Sequence, residues 1–184
     1  MRTGVDKYLL GIVLILFCVE FVSAQREVVD EYYLKAVFLE RFTRFVTFKE
    51  EEASSQDDFC ISMYGENEPL RDYLTSVYEK QFIQNKPVAI YFVSKISEIK
   101  PYGILIVCKN KEHDLGEIGK AFAGKGILVV GDTPGFASKG VVINMIIQDR
   151  KMRYEINPRT AATYAIEIDR LLLSNAILID SSEE

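Results

Sequence analysis

Between Gly126 and Asn157 the chain alternates short apolar runs with glycine and proline breaks, a spacing that leaves room for strands and tight turns only. Ile127, Leu128, Val129 and Val130 form an apolar run bounded by glycines, which reads as a buried strand. Asp132-Thr133-Pro134-Gly135 then breaks the chain. Proline presets φ at the second turn position and glycine supplies positive φ at the third, as a type II turn requires. After Gly140 a second apolar run, Val141 to Ile147, stops at Gln148-Asp149-Arg150. Met152, Tyr154 and Ile156 alternate with Arg153 and Glu155, so the two runs read as a hairpin. Asn157-Pro158 closes it, with asparagine as a helix N-cap and proline at the first helical position, where its missing N–H costs nothing.

Upstream, helical and strand patterns alternate. Leu34, Val37, Phe38, Phe42, Phe45 and Val46 recur at three- and four-residue spacing, predicting an amphipathic helix from Asp30 to Phe48 with Lys35, Glu40, Arg41 and Arg44 mostly on its other side. Its aromatic stripe reads first as core packing and otherwise as a partner-binding face. The acidic stretch Glu50 to Asp58 is a surface loop. Strands are expected at Phe59 to Tyr64, Pro87 to Ser94 and Ile104 to Cys108, and helices at Pro69 to Lys80 and Asp114 to Ala123. Strands separated by helical patterns of this length indicate parallel βαβ units. The fold class is therefore α/β: a mixed, largely parallel sheet flanked by helices, ending in the β-hairpin and a helix from about Pro158 to Ser174 or beyond. Leu171, Leu172, Leu173, Ala176, Ile177, Leu178 and Ile179 would ring more than one face of that helix. Such a helix is either buried or covered by another chain, which leaves a homodimer or partner contact open.

The first 24 residues stand apart. Arg2 and Lys7 precede the apolar run Tyr8 to Val19, and Val22-Ser23-Ala24 follow, the layout of a secretory signal peptide cleaved before Gln25. The run falls short of the roughly 20 apolar residues a spanning helix needs, and Phe17 ahead of Cys18 argues against a lipoprotein signal. The expected organisation is a signal peptide over 1–24, one α/β domain over 25–180 and a polar tail over 181–184. Charges within the signal segment cancel, so the formal net charge of −5 stays with the remainder. That acidic balance, without a basic cluster, argues against nucleic acid as a partner. An exported chain can form disulfides, yet Cys60 begins its strand and Cys108 ends its own. Parallel in-register strands would hold them roughly 13 Å apart, beyond the reach of a disulfide. Both are expected to be free.

No catalytic constellation emerges. His113 is the only histidine and lies in the charged run Lys109 to Asp114, so it reads as a surface residue. No ligand spacing suggests a metal site. Gly124-Lys125-Gly126 matches neither phosphate-loop pattern and precedes a strand rather than opening a helix. No cofactor is expected, and the chain does not read as an enzyme. Asp132 stays open between two roles: a ligand contact beyond the carboxyl end of a strand, or a hydrogen bond to the Pro-Gly turn that follows it. Asn144 and Glu155 lie on strands that would pair across the hairpin. Phe136 either tucks under its loop as a plug or projects as an anchor for a partner.

The order G-D-x-P-G-F, a glycine before I-N, and a strand ending in Y-E-I-N ahead of a helix resembles the YfiR family of bacterial periplasmic proteins. The matching residues are Gly131, Asp132, Pro134, Gly135, Phe136, Gly140, Ile143, Asn144, Tyr154, Glu155, Ile156 and Asn157. The family also opens with Y-x-x-K-A-x-F-L, found here at Tyr32 to Leu39. The family often has a cysteine at the start of the strand that here ends at Cys108; Tyr102 stands near that place, so the family's bridge is not carried over. The resemblance implies a periplasmic negative regulator that binds the sensor domain of an inner-membrane signalling protein, typically a diguanylate cyclase and alternatively a histidine kinase. Asp132, Pro134, Gly135, Phe136, Asn144 and Glu155 are the candidate partner- or ligand-binding residues. The competing reading is a periplasmic small-ligand binder that uses the loop from Asp132 to Phe136.

Overall fold

The computed structural model describes residues 31–49, 57–148 and 151–179. The expected signal segment, most of the expected acidic loop, residues 149–150 and the expected polar tail lie outside them. Residues 31–43 are helical (α1), followed by β1 (Val46–Thr47), β2 (Phe59–Tyr64), α2 (Glu68–Tyr78), β3 (Phe82–Ile83) and β4 (Lys86–Val93). Then come β5 (Gly103–Val107), α3 (Leu115–Phe122), β6 (Ile127–Gly131), β7 (Ile143–Gln148) and β8 (Lys151–Ile156). The chain closes with α4 (Pro158–Thr163), β9 (Glu167–Ile168), α5 (Arg170–Ser174) and β10 (Ile177–Leu178).

An eight-stranded sheet runs in the order β10-β8-β7-β6-β5-β2-β4-β3. Its centre is parallel, from β7 through β6, β5 and β2 to β4, while the β7–β8 and β3–β4 pairs are antiparallel. Every residue of β2, β5 and β6 is buried. These are the continuous apolar runs of the sequence, and such runs suit strands covered on both faces. The β2-α2-β4 and β5-α3-β6 crossovers travel in opposite directions across the sheet. Right-handed connections therefore place α2 and α3 on opposite faces. On the α2 face, the Tyr78 hydroxyl donates to the Ala36 carbonyl (2.6 Å) and accepts from the Glu40 N–H (3.0 Å), joining the end of α2 to the middle of α1. Phe48, Phe59 and Tyr102 meet edge-to-face with centroids 5.4–5.7 Å apart, packing the chain after β1 against the start of β2.

Two elements depart from the sequence reading. The first helix stops at residue 43 rather than Phe48, because Val46 and Thr47 pair antiparallel with Ile168 and Glu167 in a separate two-stranded sheet. The expected long C-terminal helix is two short ones with a strand between. The Thr163 and Tyr164 carbonyls are taken by the N–H groups of Gly124 (2.8 Å) and Gly126 (2.7 Å), and Ala165 turns left-handed at φ 56°. Asp169 then starts α5 afresh by accepting from the Leu171 N–H at 2.7 Å. The apolar run that seemed to ring one helix is thereby shared out: Leu172 enters the core, whereas Leu171 and Leu178 stay exposed.

Cys60 and Cys108 are buried free thiols. Ile61 lies opposite Ile104 and Tyr64 opposite Val107, so the two cysteines sit at opposite ends of the β2–β5 pair. Burial raises the pKa of both thiols, that of Cys108 to about 12 with the nearby charge of Asp132 adding to it. Both stay protonated at neutral pH, and a buried thiol of this kind is unreactive.

Asn157 links two parts of the fold. Its Oδ1 accepts from the Thr160 N–H at the start of α4 (3.0 Å), and its Nδ2 donates to the Ala137 carbonyl (2.8 Å). Losing an N-cap costs about 1 kcal/mol, and leaving a buried carbonyl unpaired adds about 1–3 kcal/mol. Asn157→Ala is expected to lower stability by about 2 kcal/mol or more in urea unfolding. A loss under about 0.5 kcal/mol would contradict this account of the joint.

Candidate functional site at the carboxyl end of the sheet

The parallel strands β2, β5 and β6 end side by side, and the loop from Gly131 to Gly140 rises from the last of them. The expected turn is present: Gly135 adopts φ 83°, ψ −1°, and the Phe136 N–H donates to the Thr133 carbonyl at 3.1 Å. A single 3₁₀ stretch, Phe136–Lys139, follows, and Val142 then returns to the sheet by donating to the Val129 carbonyl (2.9 Å).

Phe136 is 0% exposed. Of the two fates open to it, the structure shows the plug. Its ring lies against Gly131, where an added Cβ would come within 2.8 Å of the ring and 3.2 Å of Asn144 Oδ1. Glycine at 131 therefore serves close approach. The loop's exposed surface includes Pro134 and Gly135.

Beneath the turn sits Asn144, also 0% exposed. Its Oδ1 accepts from the Thr133 N–H (3.2 Å), and its Nδ2 donates to the Thr133 carbonyl (2.9 Å) and to Glu155 Oε2 (2.8 Å). Asn144 and Glu155 are direct partners across the β7–β8 hairpin, so register delivers that last bond. The turn is thus held by Asn144 and not, as one reading of the sequence had it, by Asp132. The Asp132 carboxylate points to α1 and accepts from Lys35 Nζ at 3.0 Å. Lys35 also meets Glu31 one turn earlier at 2.6 Å.

Lys35 is the residue that the sequence reading missed. Helical periodicity put it on the polar side of α1, yet it is 4% exposed. Burial alone would lower its pKa. Asp132 and Glu31 outweigh that, and the pKa lies above the usual lysine value, so the ammonium stays charged at neutral pH. The available signal was its place in the Tyr32 to Leu39 motif, flanked by Ala36 and Leu39, both fully buried.

The arrangement brings together Asp132, Phe136, Asn144 and Glu155 and adds Lys35 and Thr133. What it can do chemically is narrow. The Asp132 charge is matched by a buried lysine, and the Asn144 amide is spent on Thr133 and Glu155. No buried side-chain nitrogen or oxygen among the described residues lacks a hydrogen-bond partner. His113 stands on the surface beside Asp114, its Nε2 3.4 Å from a carboxylate oxygen. Among the described residues, no group of histidine, cysteine or carboxylate side chains is placed to hold a metal ion. A cleft of about 370 Å³ lined by Val37, Glu40, Tyr78 and Phe82 lies elsewhere, between α1 and the end of α2.

Emptying the Phe136 site is expected to cost roughly 3–5 kcal/mol. Phe136→Ala in urea unfolding should show that loss. A change within about 0.5 kcal/mol, the range of surface substitutions, would contradict the plug.

No curated protein sequence matches the chain. The loop motif, the hairpin that supports it and the lysine motif of α1 all fall within one family match, which is described as YfiR/HmsC-like and extends over residues 32–177. The chain belongs to the YfiR/HmsC-like family.

Proposed function

We propose that the protein is an exported periplasmic regulator that binds the periplasmic sensor domain of an inner-membrane diguanylate cyclase and represses it. The observation that carries this reading is the family match, which takes in nearly all the described residues. The polar groups at the sheet end support it, because they are committed to one another and hold a loop in place. Export rests on the N-terminal segment, with cleavage after Ala24. No helix among the described residues is long and apolar enough to cross a membrane. Repression would act by population shift: the bound regulator favours the inactive state of the sensor, and its release permits cyclic di-GMP synthesis.

Co-expression of the full chain with a membrane diguanylate cyclase encoded beside it tests this reading. Cellular cyclic di-GMP should fall severalfold, and the regulator recovered from the periplasm should begin at Gln25. Unchanged cyclic di-GMP with the regulator present in the periplasm would refute it.

A further inference from the structure

The outer edge of β4 lacks a full-length neighbour. β4 pairs with β2 over Val88 to Val93, but on its other side β3 covers only Lys86 and Pro87. The hairpin is short because Gln84 and Asn85 both adopt positive φ and close a two-residue turn. The Val93 carbonyl accepts from the Gly65 N–H (3.3 Å), so Ala89, Tyr91 and Val93 direct their backbone groups at β2. The Val88 N–H donates the other way, to the Gln81 carbonyl (3.0 Å). Ile90 and Phe92 share its direction, and no strand among the described residues receives their N–H and carbonyl groups. Val-Ala-Ile-Tyr-Phe-Val is uncharged, and none of its six side chains is buried, in contrast to β2 beside it. Such an edge is a template for another strand.

The two charged groups stacked on the rings of this edge are both cations, while the Asp58 carboxylate acts on Tyr91 from further off. The Arg71 guanidinium lies 4.2 Å from the Phe92 ring centroid, and Lys100 Nζ lies 4.7 Å from that of Tyr91. Phe92 and Tyr91 are adjacent on a strand and point to opposite faces, so each face of the edge carries a cation. Neither cation has a carboxylate within ion-pair distance among the described residues. The nearby Glu98 carboxylate is turned away, accepting from the Ser94 and Lys95 N–H groups (3.0 and 3.1 Å).

We infer that the open edge of β4 is a docking site for an extended acidic segment of another protein, which adds as a strand beside Ile90 and Phe92. Backbone hydrogen bonds to those two residues supply affinity, and Arg71 and Lys100 select carboxylates on the incoming strand. A second copy of this chain fits less well. Antiparallel pairing about Tyr91 would set Tyr91 beside its own copy and bring like cations together on both faces. The inference does not depend on which protein supplies the strand, nor on cyclase regulation.

The test uses the purified chain and a labelled, capped ten-residue peptide of alternating valine and glutamate, with a valine–lysine peptide as control. Fluorescence anisotropy should show saturable binding of the acidic peptide and at least tenfold weaker binding of the basic one. Hydrogen exchange at the Ile90 and Phe92 amides should slow when the acidic peptide binds. Ile90→Pro removes an outward N–H that β2 does not use, so it should weaken binding at least tenfold while leaving the melting transition in place. Should that variant unfold, Arg71→Glu with Lys100→Glu carries the same test, since peptide preference must invert. Equal binding of both peptides, or none, would overturn the inference. So would a concentration-dependent dimer that itself slows exchange at Ile90 and Phe92.

Discussion

The side-chain amide of Asn144 carries the construction at the sheet end. β6 and β7 are parallel neighbours joined by only a short loop, so the loop must rise, reverse and re-enter while its backbone is already buried. Thr133 is 8% exposed, and it exchanges two hydrogen bonds with Asn144, one through each side of the amide. Asn144 thus acts as a strand neighbour would, supplying a peptide-like donor and acceptor. An apolar residue there would leave the buried Thr133 N–H unpaired, at about 1–3 kcal/mol, and the Thr133 carbonyl with the Phe136 N–H alone. With the turn fixed, the following residue can only dive inward, and Phe136 fills the space that Gly131 leaves.

The Lys35–Asp132 pair bolts α1 to the same point. A buried ion pair contributes little net stability, because desolvation offsets attraction. Its geometric effect is larger: misplacing α1 by one turn would bury an unpaired ammonium and carboxylate. The Tyr78 hydroxyl fixes α1 independently from the end of α2. These contacts make the first helix part of the scaffold on the face where it meets Asp132.

Much of this was legible in sequence because it was local. The runs at Phe59 to Tyr64, Ile104 to Val107 and Ile127 to Val130 are too short and too continuously apolar for amphipathic helices, and Pro-Gly and Asn-Pro mark a turn and a cap by backbone chemistry alone. What escaped was decided at long range. Lys35 is a polar residue by helical periodicity, and its burial depends on Asp132, 97 positions later, which joins Glu31 in neutralising it. The C-terminal helix was misread because its carbonyls are claimed by Gly124 and Gly126, a partner no local pattern reveals. One local signal was overlooked there: Ile166 and Ile168 alternate with Ala165 and Glu167 ahead of Asp169, a strand followed by a helix cap. One of the two roles left open for Asp132, the bond to its own turn, is likewise taken by an amide from the next strand.

The claim that the sheet-end loop is rigid scaffold, held from within, has a direct measurement: native-state hydrogen exchange at the Thr133, Phe136, Val142 and Asn157 amides in the free protein. These donate to Asn144, Thr133, Val129 and Val142. If Asn144 and Phe136 lock the loop, their opening free energies should match those of β5 and β6, so that they exchange only by global unfolding. Opening of Thr133 and Phe136 several kcal/mol below the central strands, with those strands still protected, would show an independently mobile loop and contradict the account.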